Sequence, residues 1–573
     1  MRLKSLAIAA GLWIVLGAFL VPVFVPLLNA DGTSYVSLAE KYCRGDWANA
    51  INGYWGPLLS WLMVPLLALK IDPFIAARIV LLMAGLLLLW AVRRLSAALD
   101  LEEPLSSILL FACLPIGLYM VFTMITPDFL VTSILLSYLA VFLGDGFPRR
   151  WTSGAVCGVL GALAYFAKPY AFLFFLIHFS GAIVIRCLAR KTAPERRRLA
   201  SAGAAGLAAF ALLSGAWIGL ISYKYHHVLI NSAGRYNLAY LRPGSPGQPI
   251  RTEGFLPPPN ATAFSAWEDP DLIPLPDWNP TRSSLDRAYY IGLLGRNAVE
   301  FIKSLDDFSL LGPLIFILGC VSAAIAVFRR PASRRNRRLA WLVGTMTLYS
   351  FGYALLLVED RYLWFDDFLM AIIALSLLTL FLSRNPAQRW KSAAAGLAVL
   401  STFLVLPACF FPAYSTASAS ETLIPATEIH DLASHLKIHY GLRGRFASNR
   451  YWNESLAIAA FDHLQYFGSM RPEWTGAELE AAFKKYALRY FFLWRHGDPK
   501  FDFLSDYITV VHYDEIDLTV YLLKKRPAAQ LYATIRDREI PLETILWPGV
   551  VPPPTDDRPI NEYFLLRRTE LER

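Results

Sequence analysis

Residues 29–61 have the sequence NADGTSYVSLAEKYCRGDWANAINGYWGPLLSW, which places Asp31, Glu40 and Asp46 between two long apolar runs. Ionisable side chains close to a bilayer are costly unless they are paired or hydrated, so those found there often have a function. Asp31 also has a simpler explanation, because an aspartate just before a helix that begins near Ser34 is a common cap. The side of the membrane on which this stretch lies decides how it should be interpreted.

The composition indicates a protein that crosses a membrane many times. Of the 573 residues, 55% are hydrophobic and 17% are charged, whereas soluble proteins average about 25% charged residues. A single globular core stops growing at about 250–300 residues and could not bury so many apolar side chains. The first apolar run is too long for a signal peptide, which indicates an uncleaved first span. Runs of spanning length recur, and we predict about eleven transmembrane helices, at 6–28, 73–92, 104–122, 127–143, 152–167, 170–186, 201–222, 308–328, 339–357, 365–383 and 391–411.

The basic residues orient these spans. The net charge is +9, and the basic side chains cluster between apolar runs, at 93–94, 149–150, 186–198, 329–338 and 384–391. Such clusters usually mark cytoplasmic loops. If the N-terminus is cytoplasmic and residues 54–70, which Pro57 and Pro65 interrupt, do not cross the membrane, all of these clusters lie on the cytoplasmic side. We therefore expect 54–70 to be an interfacial helix. The expected location is an inner (plasma) membrane of bacterial type, and no nucleic-acid partner is expected.

Two parts of the chain are predicted to lie outside the membrane, on its extracytoplasmic side. Within the transmembrane domain, 1–411, residues 223–307 form a long external loop, and its aromatic residues indicate that it is ordered. Residues 412–573 form a soluble domain in which helical patterns alternate with strand patterns and end in a hairpin. Thr475, three residues before Glu478, begins a capping box. Such alternation predicts an α/β domain with helices packed on a sheet.

This topology brings most of the unusual polar residues to the extracytoplasmic face. Non-functional explanations exist for each type: the aspartates can cap helices, the lysine can extend to the interface, and the other residues can be interfacial anchors. No HExxH or CxxC spacing is present, and the sequence does not show whether a divalent metal ion assists. The residues are Asp31, Tyr35 and Glu40 after the first span, Asp128 in TPD, Lys168 in AYFAKPYAF, His226, and Asp360, Arg361 and Tyr362 in EDRYLWFDDF.

These residue types suit one kind of reaction. A carboxylate at the membrane surface can take a proton from an acceptor hydroxyl. Lys168 and Arg361 can bind a phosphate leaving group through charge-assisted hydrogen bonds that strengthen as its charge develops. A lipid-linked sugar phosphate presents its reactive carbon at this depth.

The pattern DGxxYxxLAxxYxxGDW, followed by GPLLxW, resembles the first external loop of the GT-C glycosyltransferases. Within that fold it is most similar to the protein O-mannosyltransferase and aminoarabinose-transferase-like group. TPD at 126–128 resembles the second acidic motif of the group, LAYFAKPYAFLFF its lysine-bearing junction, and EDRYLWFDDF its Arg-Tyr motif. The resemblance covers roughly residues 1–411. Two departures, Gly32 after the first-loop aspartate and Gly56 before Pro57, leave the donor and the acceptor open.

The resemblance implies a role for each matched residue. Asp31 would be the catalytic base, Asp128 would support the reaction or the acceptor, and Lys168 and Arg361 would bind the donor phosphate. The substrate-binding candidates are Tyr35, Glu40, His226, Asp360 and Tyr362. The implied reaction is a single inverting displacement, in which an acceptor hydroxyl of a lipid, a glycan or a protein takes the sugar from a polyprenyl phosphate. The scheme specifies no cofactor with certainty and leaves a divalent metal ion open.

Two other functions remain open at this point. A transporter or lipid flippase of envelope biogenesis would also have many spans and a few buried charges. Transporters often consist of two matching halves, and no internal repeat is apparent in this sequence. An assembly factor that binds through its soluble domain would not need Asp31, Asp128, Lys168 and Arg361 on one face.

Overall fold

The computed structural model describes residues 2–147, 150–190, 192–328, 333–381, 389–414 and 426–525. The end of the predicted soluble domain, 526–573, and most of the basic run 384–391 lie outside the described residues. The chain divides into two compact units. The membrane unit contains residues 2–25, 38–243 and 276–414 of the described chain, and the soluble unit contains 26–37, 244–275 and 426–525.

The first eighteen helices of the chain are mostly in the membrane unit; only α12 and the beginning of α2 belong to the soluble unit. In chain order they are α1 (Arg2–Phe24), α2 (Ala30–Arg44), α3 (Trp47–Ala50), α4 (Leu58–Ala68), α5 (Pro73–Ala98), α6 (Glu103–Thr123), α7 (Asp128–Phe142), α8 (Trp151–Ala167), α9 (Ala171–Leu188), α10 (Ala193–Tyr225), α11 (Ala233–Leu241), α12 (Pro249–Thr252), α13 (Ser284–Phe308), α14 (Gly312–Phe328), α15 (Arg334–Ala354), α16 (Trp364–Phe381), α17 (Arg389–Ser401) and α18 (Val405–Tyr414).

The protein is a multi-pass membrane protein. Within the described ranges, six helices are long and apolar enough to cross a bilayer, or up to eight if each of two bent helix pairs is one span. The six are α1, α5, α6, α9, α10 and the helix that contains α16. The number eleven stays a prediction, because α7 and α8 have 15 and 17 residues and a span needs about 20.

Residues 54–70 contain the short helix α4, of 11 residues with Pro65 inside it. At 1.5 Å per residue this helix is about 16 Å long, roughly half the thickness of the hydrocarbon core. The helix alone is therefore shorter than a span. Its place at the interface stays a prediction.

Two predicted segments contain helices that the sequence prediction did not resolve. The predicted external loop 223–307 ends in the 25-residue helix α13, which turns by 107° into α14. The turn needs Gly312, because a Cβ atom there would lie 1.8 Å from the carbonyl oxygen of Leu305. The predicted span 391–411 is likewise two helices, α17 and α18, which meet at 54°.

The soluble unit is built on a mixed five-stranded sheet, as predicted. The strand order is β2-β1-β3-β5-β4; β1 is parallel to β2 and β3, and β5 is antiparallel to β3 and β4. The predicted capping box of α21 is confirmed, since Thr475 and Glu478 bond reciprocally. The elements are α19 (Ala426–Tyr440), β1 (Arg445–Ser448), α20 (Trp452–Asp462), β2 (Gln465–Ser469), α21 (Gly476–Lys485), β3 (Tyr490–Trp494), β4 (Tyr507–Tyr513) and β5 (Leu518–Lys525).

Part of the predicted external loop belongs to this sheet. Leu256 N donates to Phe467 O at 2.7 Å, and Tyr466 N donates to Phe264 O at 2.7 Å, so the loop covers the outer edge of β2. Phe255 is buried in the core between the sheet and α21. The aromatic residues Phe264 and Trp267 are buried as well, which confirms the predicted order. An edge strand covered in this way no longer offers unpaired backbone groups to other chains.

Candidate functional site

Lys168 and Asp128 form a buried ion pair in the membrane unit. Pro169 forces the preceding residue out of helical geometry, so α8 ends at Ala167 and Lys168 is extended, with φ −144° and ψ 121°. Asp128 opens α7 directly after Pro127, where the helix N-terminus favours a negative charge. The side chains of Lys168 and Asp128 are 17% and 3% exposed, so solvent has little access to this pair.

Tyrosine rings surround the other side of the lysine. The Lys168 ammonium lies 3.6 Å from the ring centroid of Tyr362 and 5.5 Å from that of Tyr353. These two rings stack at 5.1 Å, and Tyr170 stacks on Tyr353 at 3.8 Å. Cation–π contacts of this kind contribute about 0.5–2 kcal/mol. The ammonium is therefore oriented by a carboxylate and by aromatic faces together.

Arg361 contacts the same aromatic ring. Its guanidinium carbon lies 5.1 Å from the centroid of Tyr362, and its Nε donates to Glu359 Oε2 at 2.8 Å. The Glu359 side chain is 35% exposed, so this partner is far more accessible to solvent than Asp128. The arrangement contains two cations next to one phenol ring, each with its own carboxylate.

The GPLL motif supports the backbone that carries Lys168. A Cβ atom on Gly56 would lie 2.4 Å from the carbonyl oxygen of Phe166 and 2.6 Å from that of Ala167. Only a glycine permits this approach, because every other residue would push the end of α8 away. The close approach of these carbonyl oxygens explains why position 56 is a glycine, where the resembled family often has a proline.

Asp31 belongs to the soluble unit. Helix α2 begins at Ala30, not near Ser34, so Asp31 lies in the first helical turn and is not the residue before the helix. Its Oδ1 accepts a hydrogen bond from the indole nitrogen of Trp267 at 3.2 Å. The carboxylate is therefore held by both a helix N-terminus and an indole.

The segment that carries Trp267 is fixed to α2 by buried polar contacts. Ser34 Oγ donates to the Trp267 carbonyl oxygen at 3.1 Å, and Ser37 Oγ donates to the carboxylate of Glu268. Glu268 is buried and also accepts from Asn260 Nδ2 at 3.2 Å. A buried carboxylate needs such partners, and these contacts fix the backbone that places the indole.

Each of the remaining predicted residues has its own place in the fold. Tyr35 is buried in α2 within the soluble unit. In the membrane unit, Glu40 pairs with Arg44 at 2.9 Å, and the exposed His226 ends α10 in a left-handed conformation. Asp360 accepts a hydrogen bond from Ser304 of α13. Among the described residues no three or more His, Cys, Asp or Glu side chains are arranged to hold a metal ion.

The sequence prediction missed the contributions of Tyr170, Tyr353, Trp267 and Glu268. Tyr170 had a signal, because it follows Lys168-Pro169 in the junction motif. The tryptophan-acid pair at 267–268 lies in a loop rich in proline and aspartate, where a buried acid is unexpected. Tyr353 had no local signal, because nothing in the sequence distinguishes it from Tyr349, the other tyrosine of α15.

Comparisons with known proteins settle the fold. No family model and no curated protein sequence matches this chain. Among solved structures, the apo oligosaccharyltransferase of Archaeoglobus fulgidus matches with a TM-score of 0.53 at 13% identity, over 86% of this chain and 69% of that one. Apo ArnT of Cupriavidus metallidurans matches with a TM-score of 0.50 at 14% identity, over 90% and 98%. The chain has the GT-C glycosyltransferase fold. The GT-C fold confirms the predicted fold class of a polytopic helical membrane protein with a C-terminal α/β domain.

Proposed function

We propose that this protein is a membrane glycosyltransferase that moves a sugar from a polyprenyl-phosphate donor to an acceptor hydroxyl on the extracytoplasmic face. The observation that carries the proposal is the position of the Lys168 ammonium, held between the Asp128 carboxylate and the Tyr362 ring in a chain with the GT-C fold. An oriented cation of low solvent access is what a departing phosphate needs.

The charges of the site explain how a phosphate would enter. Lys168 and Arg361 are each neutralised by a carboxylate, so the phosphodiester anion of the incoming donor has to replace one of these partners. Glu359 is 35% exposed and Asp128 only 3%. We expect Glu359 to be displaced by the phosphate while Asp128 stays on Lys168. Arg361 can then bind two phosphate oxygens with its planar guanidinium.

The proposed reaction assigns the base to Asp31. The acceptor oxygen attacks the anomeric carbon, the bond from that carbon to the phosphate oxygen breaks, and the acceptor proton passes to the Asp31 carboxylate. The polyprenyl phosphate leaves with the electron pair, stabilised by Lys168 and Arg361. One displacement inverts the anomeric carbon. Asp128 is then a positioning residue for Lys168.

The substrate-binding roles of the other predicted residues are part of the proposal. Tyr362 shields the two cations from water and so strengthens their interaction with phosphate. Tyr35, Glu40, His226 and Asp360 are weaker candidates; Glu40 pairs with Arg44 and Asp360 accepts from Ser304. The acceptor class is a lipid, a glycan or a protein hydroxyl.

The test is release of polyprenyl phosphate. Purified protein in lipid is supplied with a panel of polyprenyl-phosphate sugars, and the phosphate product is quantified. We expect Asp31→Asn to abolish turnover and to leave the thermal unfolding midpoint unchanged. Asp46→Asn is the matched control, since Asp46 lies in the same stretch and its carboxylate accepts from the nearby Asn49 side chain. Normal turnover of Asp31→Asn would contradict the assignment of the base.

Cysteine labelling tests the proposed sidedness. A cysteine at position 170 or 360 should react with a membrane-impermeant reagent from the extracytoplasmic side, and one at 335 should not. Labelling of position 360 from the cytoplasmic side alone would contradict an extracytoplasmic active site, whatever the outcome of the turnover assay.

A further inference from the structure

The soluble unit contains a cleft that the reaction above does not use. It has a volume of about 280 Å³ and lies between the loop segment 257–261, strand β2 and the C-terminal end of α21. Its lining combines two cations, two amides, two aromatic rings and two adjacent prolines. These are Arg445 and Lys485, Asn260 and Gln465, Phe467 and Tyr486, and Pro257 and Pro258.

The two cations are held by neutral groups. Arg445 Nη1 donates to the carbonyl oxygen of Tyr486 at 3.4 Å, and its guanidinium carbon lies 5.8 Å from the ring of Phe467. The Lys485 ammonium lies 4.9 Å from the ring of Tyr486. Within the described part of the chain, neither cation has a carboxylate at salt-bridge distance. The cleft therefore carries a positive charge that an anionic ligand would neutralise.

Lysines at a helix C-terminus have an ordinary explanation, because the helix dipole favours cations there. That explanation applies equally to Lys484 and Lys485, which end α21 side by side. Lys484 lies 3.5 Å from the carboxylate of Glu480 and does not line the cleft, whereas Lys485 does. The dipole therefore does not account for Arg445 and Lys485 converging on one cleft.

The rest of the lining is suited to a sugar ring. Gln465 Nε2 donates to the Asn260 carbonyl oxygen at 3.0 Å, which fixes the amide and leaves its oxygen as an acceptor for a hydroxyl group. The aromatic and proline faces offer apolar surfaces to the C–H face of a pyranose. Pockets for drug-sized ligands start at about 300 Å³, so this cleft has room for one ring.

We propose that the cleft binds an anionic hexose residue, a sugar ring that carries a carboxylate or a phosphate. Arg445 and Lys485 bind the anionic group, and Gln465 accepts from a ring hydroxyl. The occupant is a residue of the acceptor glycan; this last assignment rests on the proposed function, whereas the binding itself does not.

The test measures binding of small probes to the full-length protein in detergent by ligand-detected NMR. The probes are glucuronate, glucose 6-phosphate and neutral glucose. We expect both anionic probes to bind at least about tenfold more tightly than glucose, since charge-assisted hydrogen bonds contribute about 1.5–3 kcal/mol. Arg445→Gln and Lys485→Gln should each weaken that binding about tenfold. Comparison of the two anionic probes shows whether a carboxylate or a phosphate is preferred.

Lys484→Gln is the matched control, with the same charge change one residue away. Equal losses for Lys484→Gln and Lys485→Gln would overturn the proposal in favour of general attraction of anions, such as lipid headgroups, to a basic surface. Equal binding of glucose and glucuronate, or no binding of any probe, would also overturn it. Binding is measured without donor and without turnover, so its failure is distinguishable from failure of Asp31→Asn to abolish transfer.

Discussion

Replacing Asp128 by asparagine tests whether the buried ion pair organises the phosphate site. Breaking a buried pair by removing one partner costs about 3–5 kcal/mol, because the other charge is left uncompensated. Lys168 keeps the Tyr362 ring and some hydration, since its side chain is 17% exposed. We therefore expect a loss of about 2–3 kcal/mol for Asp128→Asn, at or just below the lower limit of that range.

A double-mutant cycle isolates the pair. Lys168→Gln removes the charge, so Asp128→Asn should cost much less in a Lys168→Gln background than in the wild type. We expect a coupling free energy above about 1 kcal/mol, measured by unfolding in one detergent at one pH. In the turnover assay, Asp128→Asn should lower the rate about tenfold and Lys168→Gln about a hundredfold or more.

The control is an ion pair of high exposure. Asp277 pairs with Arg282 at 3.0 Å, their side chains are 86% and 61% exposed, and such pairs are worth about 1 kcal/mol or less. Asp277→Asn should thus leave stability and turnover nearly unchanged. The reasoning is refuted if Asp128→Asn and Lys168→Gln are additive within about 0.5 kcal/mol, because two residues that do not interact cannot position one another.

Three further changes have distinct readouts. Trp267→Phe removes the indole hydrogen-bond donor from Asp31. We expect turnover to fall about tenfold, which is the effect of one hydrogen bond to a charged group. KM for the sugar donor should be unchanged. Gly56→Ala should displace the backbone that carries Lys168 and abolish turnover, because the added Cβ would lie 2.4 Å from a carbonyl oxygen. Asp462→Asn should stabilise the protein at pH 8 and have little effect at pH 4. Burial raises the pKa of the Asp462 carboxyl to about 7, although the charge of Lys437 opposes the shift. A raised pKa means that the folded state holds the proton more tightly than the unfolded chain, so stability is lost as the pH rises from about 4 to about 7.

Each of these changes has its own control. Trp278→Phe removes a similar indole bond, to Asp286 at 2.8 Å, and should leave turnover intact; an equal loss would contradict the role of Trp267. Gly215→Ala adds a Cβ with nothing within 4 Å and should be neutral. Asp431→Asn changes a half-exposed carboxylate of α19 and should not reproduce the pH dependence. A pH-independent effect of Asp462→Asn would contradict the raised pKa.

The sequence predicts best what depends on local patterns. The soluble unit shows this clearly, because its strands and helices follow from the alternation of residues and from the capping box at Thr475. The prediction that residues 54–70 do not cross follows from Pro65 and from the charge of the later loops. The residues Asp128 and Lys168 were predicted to lie on one face, and the structure joins them directly.

The missed features depend on contacts between distant parts of the chain. Helix α13 carries charged residues along its length and lacks a continuous apolar run, so no span pattern indicates it. The pairing of residues 256–264 with β2 joins segments about two hundred positions apart, and Trp267 bonds to Asp31 across 236 positions. Such partners are set by tertiary packing, which a local pattern does not contain.

The edge of β2 has a consequence for how the protein is made. The soluble unit draws on residues 26–37 and 244–275, yet the strands with which they assemble are encoded after 426. A ribosome releases residues 244–275 before helices α13 to α18 and before the strands of the sheet are made. Phe255 and the backbone at 256 therefore stay exposed until β2 has been synthesised. Assembly of the soluble unit therefore requires synthesis of the chain as far as β2. A product truncated before β2 would insert its membrane helices but leave these segments without partners, open to proteases.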